Sequence, residues 1–223
     1  MYLSRVEIDT TNRRKTRDLS HLGAYHNWVE HSFPDEIQKG QRQRHLWRID
    51  RLNGKNYLLL LSPTRPVLKD FERYGVAGTA VTKSYDAWLD QLETGMVMRF
   101  RLTANPTHSI IDPEHPKGRV VPHVTIEQQK KWLEDRATRA GFELIRRSNV
   151  ESDTIHKLAF DVVSHDWPVL HHHTETSVRM SRVTFEGLLR VKDVTALKRT
   201  LTMGIGRERA FGMGLMTVIP EAQ

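Results

Sequence analysis

The chain has 223 residues and carries 34 lysines and arginines against 27 aspartates and glutamates, a net charge of +7. That length holds one large domain or two small ones with ample core, and the positive balance points to a polyanionic partner. The absence of cysteine excludes disulfides and thiolate metal sites. The opening MYLSRVEIDTT lacks a basic stretch followed by a long apolar run, and Tyr57–Leu61 is too short to span a bilayer. The expectation is therefore a cytoplasmic protein with no membrane partner. The basic residues gather in three groups: Arg13, Arg14, Lys15 and Arg17; Lys39, Arg42, Arg44, Arg48 and Arg51; and Lys198, Arg199, Arg207 and Arg209.

Tyr2–Asp9 alternates with period two and reads as a strand. Ser20–Phe33 places Leu22, Tyr25, Val29 and Phe33 at helical spacing, and Pro34 stops it. Arg44–Leu52 and Lys55–Leu61 form a hairpin around Asn53-Gly54. Thr64–Tyr74 reads as a short helix with Pro66 in its first turn and Gly75 at the C′ position. Ala80–Leu89 reads as a further strand.

The second half repeats the order of elements. Met96–Ala104 alternates, with Met96, Met98, Phe100 and Leu102 on one face. Thr125–Ala140 is a helix with capping-box spacing at Thr125 and Gln128, a stripe of Ile126, Leu133, Ala137 and Ala140, and Gly141 as its end. Phe142–Val150 and Val183–Val191 are strands, Asp193 caps a helix through Leu201, and Leu215–Ile219 closes as the last strand. Trp28, Trp47 and Trp132 occupy core-like positions. Two βαββαβ units predict an α+β protein of two tandem ferredoxin-like domains with antiparallel sheets, residues 1–94 and 95–223, joined near Glu93–Gly95.

Four stretches carry a resemblance: MYLSRVEI at the start, AYHNWVEHSFP on the first helix, MRFRLTANP, and the C-terminal GIGRERAFGMGL. In this order they resemble the CasE endoribonucleases of type I-E CRISPR systems, members of the repeat-associated RNA-binding superfamily. The resemblance implies two tandem ferredoxin-like domains. It implies cleavage of precursor CRISPR RNA at the base of a repeat hairpin, retention of the product, and assembly into the Cascade complex with other subunits. It implies no cofactor or metal; a monomer is the expectation for the isolated chain, though the sequence leaves the oligomeric state open.

His26 stands at the family's catalytic histidine position. Imidazole near neutrality serves either to activate the 2′-hydroxyl or to protonate the 5′-oxygen leaving group, and the sequence leaves base and acid roles both open. The products would be a 5′-hydroxyl and a 2′,3′-cyclic phosphate. Related enzymes often carry a tyrosine three residues earlier, where this chain has Gly23. The adjacent Tyr25 is the second catalytic candidate, though it lies about 100° round the helix; His21 is an alternative source of the missing group. On its own, His26 would read as a packing or surface histidine among 12.

For RNA contact, Arg13 and Arg14 form the first basic group, and Lys117 and Arg119 precede the Thr125 helix. By position, Val169–Arg182 matches the family's basic hairpin, with Arg179 and Arg182, a thin element suited to an A-form groove. The C-terminal run supplies Gly204, Gly206, Gly212 and Gly214 around Arg207 and Arg209. Glycine lets amides approach phosphate while arginine brings charge, although the same glycines serve equally as a tight structural connection. The run departs from GxGxxG at Arg209 and lacks the P-loop Lys-Ser/Thr. His21, His26 and His31 are five apart rather than the four a zincin pair needs, and His171, His172 and His173 alternate faces in a strand, so a metal-dependent nuclease is the least favoured reading. The chief rival is a catalytically silent subunit that binds the hairpin or scaffolds the complex.

Overall fold

Alternation makes Tyr2–Glu7 a strand, β1, with Ser4 and Val6 buried and Arg5 exposed. This computed structural model describes residues 1–113, 115–147, 157–171 and 177–221. A single helical turn, α1 (Arg13–Thr16), follows β1 without a counterpart in the hydrophobic pattern; the Asn12 side chain caps it by accepting from the Arg14 and Lys15 amides. Pro34 both ends α2 (Leu22–His31) and opens α3 (Pro34–Lys39), as a residue without an N–H does at no cost in a first helical turn. Asn53 (φ 51°) and Gly54 (φ 77°) make the left-handed pair of a type I′ turn between β2 (Leu46–Leu52) and β3 (Lys55–Ser62).

Two expectations for the next stretch are corrected. Only Leu68–Phe71 is helical (α4). Beyond it the chain turns so that Tyr74 meets Trp28 edge-on at 5.3 Å and Gly75 bridges Ile8. Gly75 does not take the left-handed conformation of a C′ residue. A Cβ there would run into Val6, so close approach is what requires glycine. The strand expected over Ala80–Leu89 is confined to β4 (Val81–Ser84), and Asp86–Leu89 forms a helical turn, α5, with Tyr85 stacked on Trp88. The sheet order β2-β3-β1-β4, all antiparallel, is the ferredoxin-like arrangement, and its apolar face holds Val6, Leu58 and Leu60 under Trp28 and Phe71.

The second sheet repeats it. In chain order come β5 (Val97–Ala104), a hairpin of β6 (Thr107–Asp112) and β7 (His115–Pro122), α6 (Ile126–Ala137), β8 (Phe142–Leu144), the short strands β9 (Arg146–Arg147) and β10 (Lys157–Leu158), and β11 (Phe160–Asp166). There follow a small hairpin of β12 (Val169–His171) and β13 (Ser177–Arg179), then β14 (Arg182–Val191), α7 (Val194–Met203) and β15 (Met216–Pro220). The order β11-β14-β5-β15, with β8 also on β14, is again ferredoxin-like. Met98, Phe100 and Leu102 of β5 and Val183, Phe185 and Leu189 of β14 build its core.

The capping box of Thr125 and Gln128 and the Asp193 cap both form. Ile126 does not join the buried stripe of α6, being 54% exposed; Gln129, Trp132, Leu133 and Ala137 fill that face. The strand expected over Phe142–Val150 breaks at Ile145, and residues 148–150 lie outside the described residues, as do His172 and His173. Gly187 sits where a Cβ would strike Phe160 and the Ala159 carbonyl. Gly187→Ala should therefore force β11 from β14 and cost about 1–3 kcal/mol, read as a lower urea midpoint.

Contacts divide the chain into two compact units, each discontinuous. One holds Met1–Gln91, Pro168–Arg179 and Glu208–Leu215; the other holds Leu92–Trp167, Met180–Arg207 and Met216–Gln223. The glycine-rich run is thus shared out between them, with Arg207 in one and Arg209 in the other.

Candidate active site

The helix pattern of α2 turns Leu22, Trp28 and Val29 inward and leaves His26 half-buried beside the late segment Glu208–Leu215 of its own unit. Strand β2 fixes that segment. Trp47 Nε1 donates to the Ala210 carbonyl at 2.9 Å, and Arg48 Nη1 donates to the Leu215 carbonyl at 3.0 Å. Arg48 belonged by sequence to the second basic group, but its side chain is 3% exposed and forms a two-pronged pair with Asp50 at 2.7 and 2.8 Å. It therefore holds structure rather than facing a ligand. Gly212 (φ +78°) packs where a Cβ would lie 2.6 Å from Trp47 Cζ3. Between these anchors Arg209–Phe211 makes one 3₁₀ turn, and Phe211 meets the His26 ring edge-on at 5.6 Å.

Burial pushes the His26 pKa below its ordinary value; the Glu30 carboxylate opposes this, Arg42 and His45 reinforce it, and a hydrogen bond to the Ala210 carbonyl partly offsets it. A ring nitrogen hydrogen-bonded to that carbonyl would leave the other nitrogen for chemistry. Glu30 lies one helical turn after His26, on the same face. Its Oε1 accepts from His45 Nδ1 at 2.9 Å and its Oε2 stands 3.8 Å from Arg42 Nε. His45 is buried and stacked on Phe33 at 3.9 Å; its Nε2 lies 3.3 Å from Glu36 Oε2 without hydrogen-bond geometry. Burial would raise the Glu30 carboxyl, but the hydrogen bond and charge of His45, with His26 and Arg42, hold it below its ordinary value. Its contribution to stability is therefore present at neutral pH and is lost as pH falls through the carboxylate range.

Tyr25 faces a different way from His26. Its ring stacks on Trp47 at 5.9 Å and lies 6.3 Å from Trp28. At position 23, a Cβ would stand 3.0 Å from the His21 ring and 3.6 Å from Leu170, so His21 occupies the space a larger residue there would need. Arg13, Arg14 and Arg179 are exposed on the same unit as His26. Arg209 is partly buried, and burial and the nearby Arg44 both lower its pKa; two cations drawn together in this way favour an anion between or beside them. Gly214 (φ 88°) lies in the same loop.

The chain matches the family described as CRISPR associated protein over residues 1–220. It belongs to that family. This CRISPR-associated protein is 26% identical over 227 residues to the CRISPR-associated endoribonuclease Cse3 of Thermus thermophilus, covering 99% of this chain and 100% of that one. It is 28% identical over 229 residues to the CRISPR system Cascade subunit CasE of Escherichia coli K12, with the same coverage. Its fold superimposes with a TM-score of 0.77, at 25% identity and 98% coverage of each chain, on Thermus thermophilus Cse3 bound to an RNA representing a pre-cleavage complex. The resemblance to CasE and the two ferredoxin-like domains both hold.

The other unit of the CRISPR-associated protein holds the remaining expected RNA contacts. Lys117 and Arg119 are exposed on β7. Arg182 is engaged by Asp166, with Nε 2.9 Å from Oδ1. Gly204 (φ 77°) and Gly206 (φ 83°) take left-handed backbone after α7. Arg207 is exposed beside a cleft against α6. The structure thus gathers His26, Arg209, Gly212 and Gly214 in one place and Gly204, Gly206 and Arg207 in another. Residues missed by the sequence reading are Glu30, His45 and Phe211. Glu30 alone carried a signal, its spacing of four from His26 on a helix.

Glu30→Gln tests that spacing. Glutamine still accepts from His45, but the charge that raises the His26 pKa is gone. The inflection of the cleavage pH profile due to His26 should move to lower pH whether His26 is base or acid. A direct His26 titration by NMR should move the same way, with a stability cost of about 1–3 kcal/mol. An unmoved inflection would separate Glu30 from the chemistry.

Proposed function

We propose that this protein is a metal-independent endoribonuclease that cleaves CRISPR repeat hairpins in precursor RNA and keeps the guide RNA as a Cascade subunit in the cytoplasm. End-to-end similarity to a protein named CRISPR-associated endoribonuclease carries this reading, and the His26 pocket supplies the chemistry. The 2′-oxygen attacks the adjacent phosphorus and the bond from phosphorus to the 5′-oxygen breaks. One proton leaves the 2′-hydroxyl and one reaches the 5′-oxygen, giving a 2′,3′-cyclic phosphate and a 5′-hydroxyl. His26, lowered below its ordinary pKa by burial, is largely neutral at pH 7 and is suited to take the first proton. Stacked on Trp47, Tyr25 holds the His26 helix in place. Residues 1–94 form the domain of the catalytic histidine, completed by 168–179 and 208–215 from the second half; the rest of residues 95–223 form the other. Arg13, Arg14, Lys117, Arg119, Arg179, Arg182, Arg207 and Arg209 bind the RNA.

The test is cleavage of the genomic repeat hairpin in EDTA, and of the same hairpin with a 2′-deoxy nucleotide at the scissile position. Cutting in EDTA that stops with the 2′-deoxy substrate is expected. Loss of cutting in EDTA, or cutting of the 2′-deoxy substrate, overturns the mechanism. Tight binding without cutting of either substrate favours the silent hairpin-binding subunit.

A further inference from the structure

Outside the His26 pocket, one cleft in the second unit has no role in the mechanism above. It measures about 230 Å³ and is lined by β6, β7, α6 and the loop after α7. That is below the roughly 300–1,000 Å³ of sites for drug-sized ligands, and it suits one base with its sugar and phosphate. Its chemistry is one-sided. Arg136 and Arg207 line it together with His108, Ser109 and Asn105, and among the described residues no carboxylate does.

Arg136 is the most telling of these. Its guanidinium lies 4.2 Å above the Trp132 ring and donates from Nη1 to the Trp132 carbonyl at 2.9 Å. Burial lowers its pKa, and among the described residues no carboxylate lies within ion-pair distance of it. The nearest acid acting on it, Asp135, is paired with Lys131. A half-buried guanidinium without a counter-ion is costly, and a bound anion would remove the cost. Gly206 (φ +83°) packs onto Trp132, its would-be Cβ 3.1 Å from the indole, which sets the backbone of the loop at the cleft with exposed Arg207 next to it. Opposite, His108 stacks on His123 at 4.5 Å. Burial, His108 and Arg136 all lower the pKa of His123. The cleft therefore offers cations for a phosphate, flat imidazole and guanidinium faces for a base, and a hydroxyl on Ser109 for its edge.

We propose that this cleft holds one unpaired nucleotide of the repeat RNA strand next to the hairpin, its phosphate on Arg136 and Arg207 and its base against His108. The proposal rests on the RNA-binding reading above. A base inside a duplex has no free face to enter such a site, so the occupant is single-stranded.

The test uses the full-length protein and has two arms. In the first, uridine and adenosine 5′-monophosphates are titrated while the His108 and Trp132 ring signals are followed by NMR. The corresponding nucleosides and inorganic phosphate are run in parallel. Saturable shifts are expected from the monophosphates and at least tenfold weaker binding from nucleosides or phosphate alone. In the second arm, affinity is measured for the repeat hairpin with its unpaired flanking nucleotides, with an abasic flank, and with none. The exposed variant His108→Ala should weaken the flanked RNA at least fivefold and leave the blunt hairpin within twofold, and Arg207→Ala should weaken the flanked RNA more than the blunt hairpin. Arg207→Ala should also flatten the salt dependence by about one counter-ion. Equal losses for flanked and blunt RNA would sink the assignment, and so would absence of ring shifts with any monophosphate. Monophosphate binding with no effect of the flank would also overturn it, in favour of a free nucleotide. The first arm reads without cleavage, so failure of the endonuclease reading and failure of this site are told apart.

Discussion

His26→Ala should reduce single-turnover cleavage of the repeat hairpin by at least about 10²–10⁴-fold, the range a positioned general acid or base contributes, while hairpin affinity stays within a few-fold. The site explains the split. The ring is half-buried and contacts Phe211 through one edge, a contact worth about 0.5–1.5 kcal/mol against a domain stability of about 5–15 kcal/mol. The fold should survive the change, and the exposed arginines that would bind RNA are untouched. Gel-shift affinity and a thermal melt on the same preparation check this. Residual cleavage within tenfold of the parent would remove His26 from the chemistry. The pH profile of the parent then assigns the role. A rate that rises through the depressed His26 pKa and levels off marks the base, and one that falls above it marks the acid.

The second large effect is expected away from the reacting atoms. Gly212→Val places a branched side chain at φ +78° against three ring atoms of Trp47, the nearest 2.6 Å from the Cβ. Left-handed backbone costs such a residue about 1–2 kcal/mol, and overpacking a tight contact adds about 1–3 kcal/mol. Trp47 has to move, and it holds the Ala210 carbonyl that also acts to raise the His26 pKa. Stability and cleavage should fall together, seen as a lower urea midpoint and a lower single-turnover rate. Trp47→Phe separates the two: it keeps a ring but removes the indole N–H, so it should spare more of the stability while still disturbing the His26 titration. A Gly212→Val protein with parental midpoint and rate would show that the loop does not support the site.

Local rules made much of this fold legible. The left-handed Asn53-Gly54 turn, the capping box at Thr125, the Asp193 cap and the alternation of Met98, Phe100 and Leu102 are each set by residues a few positions apart. The hairpin of β6 and β7 was hidden because Pro116 and Pro122 sit in β7, and proline argues against a strand unless that strand is at an edge. In β11 the register shifts between Val162 and Ser164, which breaks the period-two pattern. Gly75 was placed by a general rule for helix ends, whereas the contact with Val6 that requires it is set by tertiary packing. At the site, His26 could be read from its family motif. The carboxylate that raises its pKa, Glu30, was marked only by its spacing of four on the same helix, and the buried His45 and the Phe211 edge could not be read, because they come from parts of the chain that only folding unites.

Strand β2 grips residues of the Glu208–Leu215 segment, which is made well after His26. Translation adds roughly 5–20 residues per second, so the carbonyl and ring that flank this histidine leave the ribosome roughly ten seconds or more after it. Until then the nascent chain has an imidazole but no pocket around it. A fragment stopping at Gln91 would be in the same condition, and activity should be sought only in chains that reach Leu215. The surroundings of His26 are in this sense assembled only once residues 208–215 have joined the first unit.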